Sequence, residues 1–145
     1  SAFDIARTLA MGADWCNSAR GFMFSIGCIQ AQACHTNQCP VGVATQDKIR
    51  QRALNVGHKS KRVARFHRNT MDALAEMTGA AGLSHPREFL PRHLMLRQGD
   101  KSMVQGDEVY AYLPDGYLLD NKAVDYKGNK TRWARARAES FAPVD

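Results

Sequence analysis

The sequence predicts a mainly α-helical chain that begins with one helix–strand–helix unit of alternating α/β architecture. Apolar residues recur at helical spacing in "FDIARTLAMGAD" and in "SKRVARFHRNTMDALAEMTGAAG". The stretch "DWCNSA" between the first two helical segments is short enough for one strand only. A single strand cannot satisfy its backbone hydrogen bonds, so we expect neighbouring strands from a missing segment of a longer protein, or self-association.

The first two helical segments have clear signals. Ile5 and Leu9 stack at i, i+4, with Asp4 near the positive N-terminal end and Gly12 at the stop. A second helix is predicted in "RGFMFSIGCIQAQA", where apolar spacing runs through Phe22, Ile26 and Ile29. Together with "DWCNSA", these two helices form the α/β unit.

The middle of the chain is predicted to hold a loop and the longest helix. From Cys34 to about Gly57 the sequence is loop-like, with a short basic helix around residues 46–54. The long helix that follows has two distinct faces and ends at Gly79 and Gly82. Its apolar face is predicted to contain Val63, Phe66, Thr70, Leu74 and Met77, and its polar face Arg65, Arg68, Asp72 and Glu76.

The C-terminal part has weaker signals. Ser84 is predicted to cap a short turn through Pro86 and Glu88. "QGDKSMVQGDE" is typical of a linker, "AYLPDGYLL" predicts a hairpin, and "TRWARARAESFAPVD" predicts a basic helix. We therefore divide the chain into residues 1–57, 58–97 and 98–145.

Composition limits the classes of function. The 145-residue chain is 44% hydrophobic and 23% charged, as in a soluble globular protein. It has no signal peptide and no apolar run near the ~18 residues of a membrane span, so we expect a cytoplasmic location, with an upstream membrane anchor left open. The first residue is Ser1 rather than methionine, and we expect the chain to belong to a longer protein.

The net charge of +6 comes mainly from two stretches, "HKSKRVARFHR" and "NKTRWARARAE". Neither stretch has the interleaved aromatic residues of a single-strand binder, and neither contains a nucleic-acid-binding motif. We therefore expect a solvated basic face and no nucleic-acid partner.

Three cysteines, Cys28, Cys34 and Cys39, lie within the stretch "GCIQAQACHTNQCPVGVATQ". They could be buried thiols, disulfide partners or metal ligands, although nothing suggests a secreted disulfide framework. Structural zinc sites usually have tighter pairs, but His35 could supply a fourth zinc ligand. Three thiolates with no obvious fourth ligand are suited to an iron–sulfur cluster that contains three iron atoms, each bound by one cysteine sulfur. Cys16 lies outside this spacing and is interpreted as a core thiol.

Several of these stretches resemble one family. "GADWCNSARGFMFSIGCIQAQACHTNQCPVGVATQ" closely resembles the end of the FMN-binding synthase domain of glutamate synthases, and its cysteine motif is highly specific. The segments "FHRNTMDALAEM" and "ARAESFAP" resemble stand-alone FMN-binding glutamate synthase-like proteins. The resemblance covers most of the chain and is weakest from Gln98 to Lys130.

The resemblance implies a fold and a set of cofactor ligands. The chain would be the last βα unit of a (β/α)8 barrel, with "DWCNSA" as the eighth strand, followed by a helical extension. It implies a three-iron, four-sulfur cluster on Cys28, Cys34 and Cys39. It also implies FMN phosphate binding at the strand–helix turn, for which backbone N–H groups offer a physical reason. The residues in that turn are Ser18, Ala19, Arg20 and Gly21. The larger glutamate synthases have a glycine- and threonine-containing turn there instead of "NSAR".

The reaction that the resemblance implies is the reductive amination of 2-oxoglutarate to L-glutamate, with ammonia or glutamine as the nitrogen source. An electron donor protein or an NADPH-oxidising subunit would be the partner. No catalytic residue can be assigned within this chain, and we expect the isolated chain to be inactive. The alternatives are a small zinc-binding module with a basic surface, and a purely structural helical interaction domain.

Overall fold

Helices make up most of the regular structure of the chain. The computed structural model describes residues 1–99, 101–120 and 135–142. The α-helices are α1 (Ala2–Ala10), α2 (Arg20–Ser25), α3 (Lys48–Gln51), α4 (Val56–Ala80) and α5 (Gly106–Val109), with 3₁₀ turns at Pro86–Glu88, Pro91–His93 and Tyr117–Asp120. Two strands, β1 (Met95–Arg97) and β2 (Met103–Gln105), pair antiparallel. The prediction of a mainly helical chain is confirmed.

The chain divides into two compact units, Ser1–Gly106 and Asp107–Asp145. All of the candidate site residues lie in the first unit. The division into three segments that the sequence suggested stays a prediction. None of the helices in the described ranges combines the length and apolar character needed to cross a lipid bilayer.

The core of the first unit lies where α1 packs on α4. Every fourth residue on one face of α1 is alanine, and these small side chains allow the two helices to approach closely. The buried side chains are Ala2, Ala6, Ala10, Leu74 and Phe89, with Ile5, Leu9, Ala73, Met77, Leu83 and Leu94 partly buried around them. The core is therefore small and depends mainly on α4.

Helix α4 has the two faces that its sequence predicts. All five residues of the predicted apolar face are buried or partly buried, and all four of the predicted polar face are exposed. The helix begins at Val56, earlier than predicted, because the side chain of Asn55 accepts a hydrogen bond from the N–H of His58 at 2.9 Å. It ends at Ala80, and Gly82 follows with φ +73°.

Helix α2 is shorter than the sequence predicts. It ends at Ser25, and Gly27 adopts φ +107°, a conformation that interrupts the helix before Ile29, which is 63% exposed. The ring of Phe22 contacts that of Phe66 edge-to-face, with centroids 5.1 Å apart. A Cβ on Gly21 would lie 2.8 Å from the Phe66 ring, so glycine allows α2 to pack closely on α4.

The predicted strand in "DWCNSA" is not formed in this chain. Residues 15–18 belong to no helix or strand, and Trp15 is 74% exposed. The only strands among the described residues are β1 and β2, so no neighbour is present to complete the ladder of hydrogen bonds. This is the outcome expected of a single strand, whose backbone N–H and C=O groups find no partners without a sheet.

The predictions for the C-terminal part were mostly wrong. The supposed linker after Arg97 contains β2, which pairs with β1. "AYLPDGYLL" has a turn at Asp115–Gly116 but no strands around it. Residues 135–142 form turns with an isolated bridge between Arg137 and Ser140 instead of a helix, and the rest of that predicted helix lies outside the described residues.

The short turn at Pro86–Glu88 is present, but its cap differs from the prediction. His85, rather than Ser84, caps it, because the Nδ1 atom of His85 accepts a hydrogen bond from the N–H of Arg87 at 3.1 Å. The backbone N–H of Ser84 donates to the Glu88 carboxylate at 3.2 Å.

Candidate metal centre

The cysteine-containing loop leaves the end of α2 and winds tightly. Cys28 is joined to α2 by a hydrogen bond from its N–H to the carbonyl of Met23 at 3.0 Å. Beyond it, Gln30, Gln32 and Asn37 all have positive φ angles, which non-glycine residues seldom adopt. The loop therefore changes direction repeatedly over a short length, and this brings Cys34 back towards α2.

Two of the three predicted cluster ligands share one cavity with part of the predicted phosphate turn. Cys28 and Cys34 line a cavity of about 460 Å³, and Ala19 and Arg20 line it as well. The remaining lining residues are Met23, Phe24, Gln30 and Gln32. Arg20 is the only charged side chain in this lining, so the cavity favours an anionic occupant.

Cys39 lies outside that lining, in a cradle of backbone N–H groups. It is 7% exposed. Hydrogen bonds from the backbone N–H groups of Ala44 and Val41, with smaller ones from Val43 and Gly42, lower the pKa of the Cys39 thiol, while burial opposes them. A thiolate is the form of cysteine that binds a metal, so this cradle suits a ligand sulfur.

Asn37 and Gly42 hold the loop in shape. The side-chain oxygen of Asn37 accepts hydrogen bonds from the N–H of Gln46 at 2.6 Å and from the hydroxyl of Thr45 at 3.0 Å. Gly42 has φ +74°, and a Cβ at this position would collide with the carbonyl oxygen of Arg50. The loop around Cys39 is therefore held at two points. Asn37 fixes it to the residues that precede α3, and Gly42 packs closely on the backbone of Arg50 within α3.

The three cysteines have the donor chemistry of an iron–sulfur centre. Each thiol is free, Cys28 being half-buried, Cys34 exposed and Cys39 buried. In the described residues, no three or more Cys, His, Asp or Glu side chains converge to hold a single metal ion. A zinc site with His35 would need that convergence, whereas a three-iron cluster takes each thiolate on a different iron. The three free thiols are the donor set that a three-iron cluster would take.

The predicted phosphate turn lies at the N-terminal end of α2. Ser18, Ala19 and Arg20 are exposed, and Ala19 occupies the N-cap position without a side-chain hydrogen bond. Gly21 is half-buried, because its Cα faces Phe66. The structure thus gives Gly21 a packing role, and it brings Ala19 and Arg20 to the cavity that Cys28 and Cys34 line.

Cys16 lies apart from this cavity. Its thiol is half-buried and points to the carbonyl oxygen of Ile5 at 4.0 Å. Cys16 was interpreted as a core thiol, but it lies beside α1 and is not one of the residues that form the core.

Sequence reasoning missed two residues that shape the site. Asn37 and Gly42 both belong to the motif, but they were not identified as the residues that clamp the loop. The signal for Gly42 was present, since Pro–x–Gly after a cysteine is typical of a tight turn. Lys59, whose ammonium lies beside Gly27, could not be found because it is 32 residues away in the sequence.

Comparison with known proteins gives consistent results. A family model described as "Conserved region in glutamate synthase" matches residues 1–84. The chain is 45% identical over 105 residues, 72% of its length, to the glutamate synthase large subunit-like protein YerD of Bacillus subtilis. It is 47% identical over 145 residues, 99% of its length, to the chloroplastic ferredoxin-dependent glutamate synthase 2 of Arabidopsis thaliana.

A more distant relative is the archaeal-type glutamate synthase [NADPH] of Dehalococcoides mccartyi, 28% identical over 94 residues, which cover 65% of this chain and 19% of the relative. The matched part spans 20% of YerD and 8% of the Arabidopsis protein. No solved structure matches the chain.

Proposed function

The chain belongs to the glutamate synthase family, and we propose that it forms the iron–sulfur-binding part of a glutamate synthase-like flavin oxidoreductase. The observation that carries this proposal is the shared cavity of Cys28, Cys34, Ala19 and Arg20. Two of the three predicted cluster ligands and two of the four residues of the predicted phosphate turn line this cavity, and Cys39 lies outside it. Because the chain spans only a fifth of YerD, the activity of the whole protein belongs to this proposal.

Cys28, Cys34 and Cys39 would each supply one thiolate to a three-iron, four-sulfur cluster. Cys39 is the best prepared of the three, since backbone N–H groups stabilise its thiolate. Cys34 is exposed and Cys28 is half-buried, and both line the cavity. The loop thus provides one fixed ligand and two accessible ones.

The turn at Ser18, Ala19, Arg20 and Gly21 would hold the phosphate of FMN. Arg20 offers a positive charge at the cavity, and the start of α2 offers backbone N–H groups. When bound, the two cofactors supply the electron transfer and hydride chemistry for reductive amination of 2-oxoglutarate to L-glutamate. In this proposal the residues of the chain bind and orient the cofactors, and none is assigned a catalytic role.

The segment without regular structure before α2 is the part of the chain that would be a barrel strand in this proposal. Residues 15–18 lead directly into α2, as a barrel strand leads into the helix after it. We propose that the rest of the full-length protein supplies the neighbouring strands and covers Trp15. The substrates would be 2-oxoglutarate with ammonia or glutamine. Relatives named as ferredoxin-dependent and as NADPH-using suggest an electron donor protein or an NADPH-oxidising subunit as partner.

Metal and sulfide analysis tests the proposal. We expect the full-length protein, purified without oxygen, to contain iron and acid-labile sulfide. Cys28→Ser, Cys34→Ser and Cys39→Ser should each lose most of both, whereas Cys16→Ser, the matched control, should keep them. Zinc without sulfide, or equal iron in all four variants, would contradict the assignment.

A further inference from the structure

Lys59 stands out among the basic residues of α4 because its ammonium lies against the cysteine loop. Its Nζ atom is 2.7 Å from the position that a Cβ on Gly27 would occupy, and Gly27 directly precedes Cys28. Lys59 is partly buried, whereas its neighbours Lys61 and Arg62 are exposed. The helix thus directs one cation inwards at the point where the loop begins.

No ion pair among the described residues accounts for the position of Lys59. Within the described ranges, the ion pairs are Ser1–Asp4, Arg7–Asp4 and Arg50–Asp47, and none involves Lys59. A partly buried ammonium loses part of its hydration, and a nearby anion or hydrogen-bond acceptor can offset this loss. The lining of the neighbouring cavity contains no Asp or Glu. Gly27, which the Lys59 ammonium approaches, directly precedes Cys28, so the predicted ligand nearest to it along the loop is Cys28.

Glycine at position 27 makes the approach feasible. With φ +107° and no Cβ, Gly27 leaves room for the Lys59 ammonium, which a larger side chain would displace. The same residue ends α2 and sets the direction in which Cys28 leaves the helix. One glycine therefore determines both the position of a predicted ligand and the access of a cation to it.

We propose that Lys59 is a positioning residue that compensates the charge of the iron–sulfur centre: its ammonium, held over Gly27, stabilises the anionic cluster at Cys28 and raises its reduction potential. This inference rests on the proposed function. A fixed positive charge stabilises the reduced form, which is the more negative one, more than the oxidised form.

The test is a redox titration, followed by EPR, of the full-length protein and three variants. Lys59→Gln removes the charge, Lys59→Arg keeps it, and Lys61→Gln removes a matched exposed charge from the same helix. We expect a more negative midpoint potential in Lys59→Gln alone. Iron and sulfide contents are measured first on each protein.

The outcomes separate this inference from the proposed function. Wild-type protein without iron and sulfide would refute the proposed function itself. A loaded wild-type protein whose potential is unchanged in Lys59→Gln, or shifted equally by Lys61→Gln, would overturn the role of Lys59 alone. Loss of iron from both Lys59 variants would show a packing role and overturn it as well. Loss of iron from Lys59→Gln with retention in Lys59→Arg would support charge compensation.

Discussion

Replacing Gly42 with alanine should disrupt the cradle around Cys39. Gly42 has φ +74°, and an added Cβ would collide with the carbonyl oxygen of Arg50 and lie 3.0 Å from its carbonyl carbon and 3.2 Å from the Cα of Gln51. All three atoms belong to the backbone, so no side-chain rotation can relieve the contact. Either the loop after Cys39 or the start of α3 must move.

The cost combines two effects. A non-glycine residue in the left-handed region costs roughly 1–2 kcal/mol. Forcing an extra carbon into a filled space typically costs about 1–3 kcal/mol. The sum, about 2–5 kcal/mol, is comparable to a large share of the stability of a small domain, so the clamped loop should open rather than tolerate the strain.

The assay measures iron content, acid-labile sulfide and thermal unfolding in the full-length protein. Gly42→Ala should lose most of its iron, because movement of the loop withdraws the N–H groups of Val41 and Ala44 from the Cys39 sulfur. Gly79→Ala is the matched control, since no atom lies within 4 Å of its added Cβ in α4. It should keep its iron and gain about 0.5–1 kcal/mol in stability. A Gly42→Ala protein with wild-type iron and unfolding temperature would refute this reasoning.

Two further predictions concern stability. Leu74→Ala should lower the free energy of unfolding by about 2–3 kcal/mol, the lower part of the usual range, because this small core has no fully enclosed large side chain among the described residues. Met71→Ala, on the same helix but 37% exposed, should cost under about 1 kcal/mol, and chemical denaturation of both variants checks the difference. Hydrogen bonds from the N–H groups of Arg50 and Ile49 lower the pKa of the Asp47 carboxyl below its ordinary value of 3.8. The contribution of Asp47 to the stability of the fold is therefore complete above pH 3.8, and it is lost as the pH falls through the lowered pKa. Asp47→Asn keeps a capping oxygen and should flatten the acid dependence of stability below pH 3.8, and an unchanged profile would contradict this.

The sequence predicted the helices whose apolar spacing is long and regular. Both faces of α4 followed from periodicity, since each turn adds another residue to the same face. The end of α2 did not follow, because apolar spacing continued to Ile29 while Gly27 adopted a positive φ. Local periodicity has no information about where a loop must turn.

Strand pairing was predicted less well for a physical reason. A strand is stable only with a neighbour, and the neighbour is a non-local property of the fold. "DWCNSA" is short enough for one strand but has no partner among the described residues, whereas Met103–Gln105 has the partner Met95–Arg97 although its sequence is typical of a linker. The motif identified Cys28, Cys34 and Cys39 as candidate ligands, but it did not show that Asn37 and Gly42 would hold the loop around them.

Helix α4 has a consequence for any attempt to shorten this protein. Its 25 residues form a rod of about 37 Å at the usual rise per residue. The C-terminal part of that rod packs in the core through Leu74, its middle contacts α2 through Phe66, and its first turn reaches Gly27 through Lys59. A truncation point inside Val56–Ala80 would separate the contacts to α2 and Gly27 from the contacts in the core. A truncation point outside this range would keep both sets of contacts on one continuous helix.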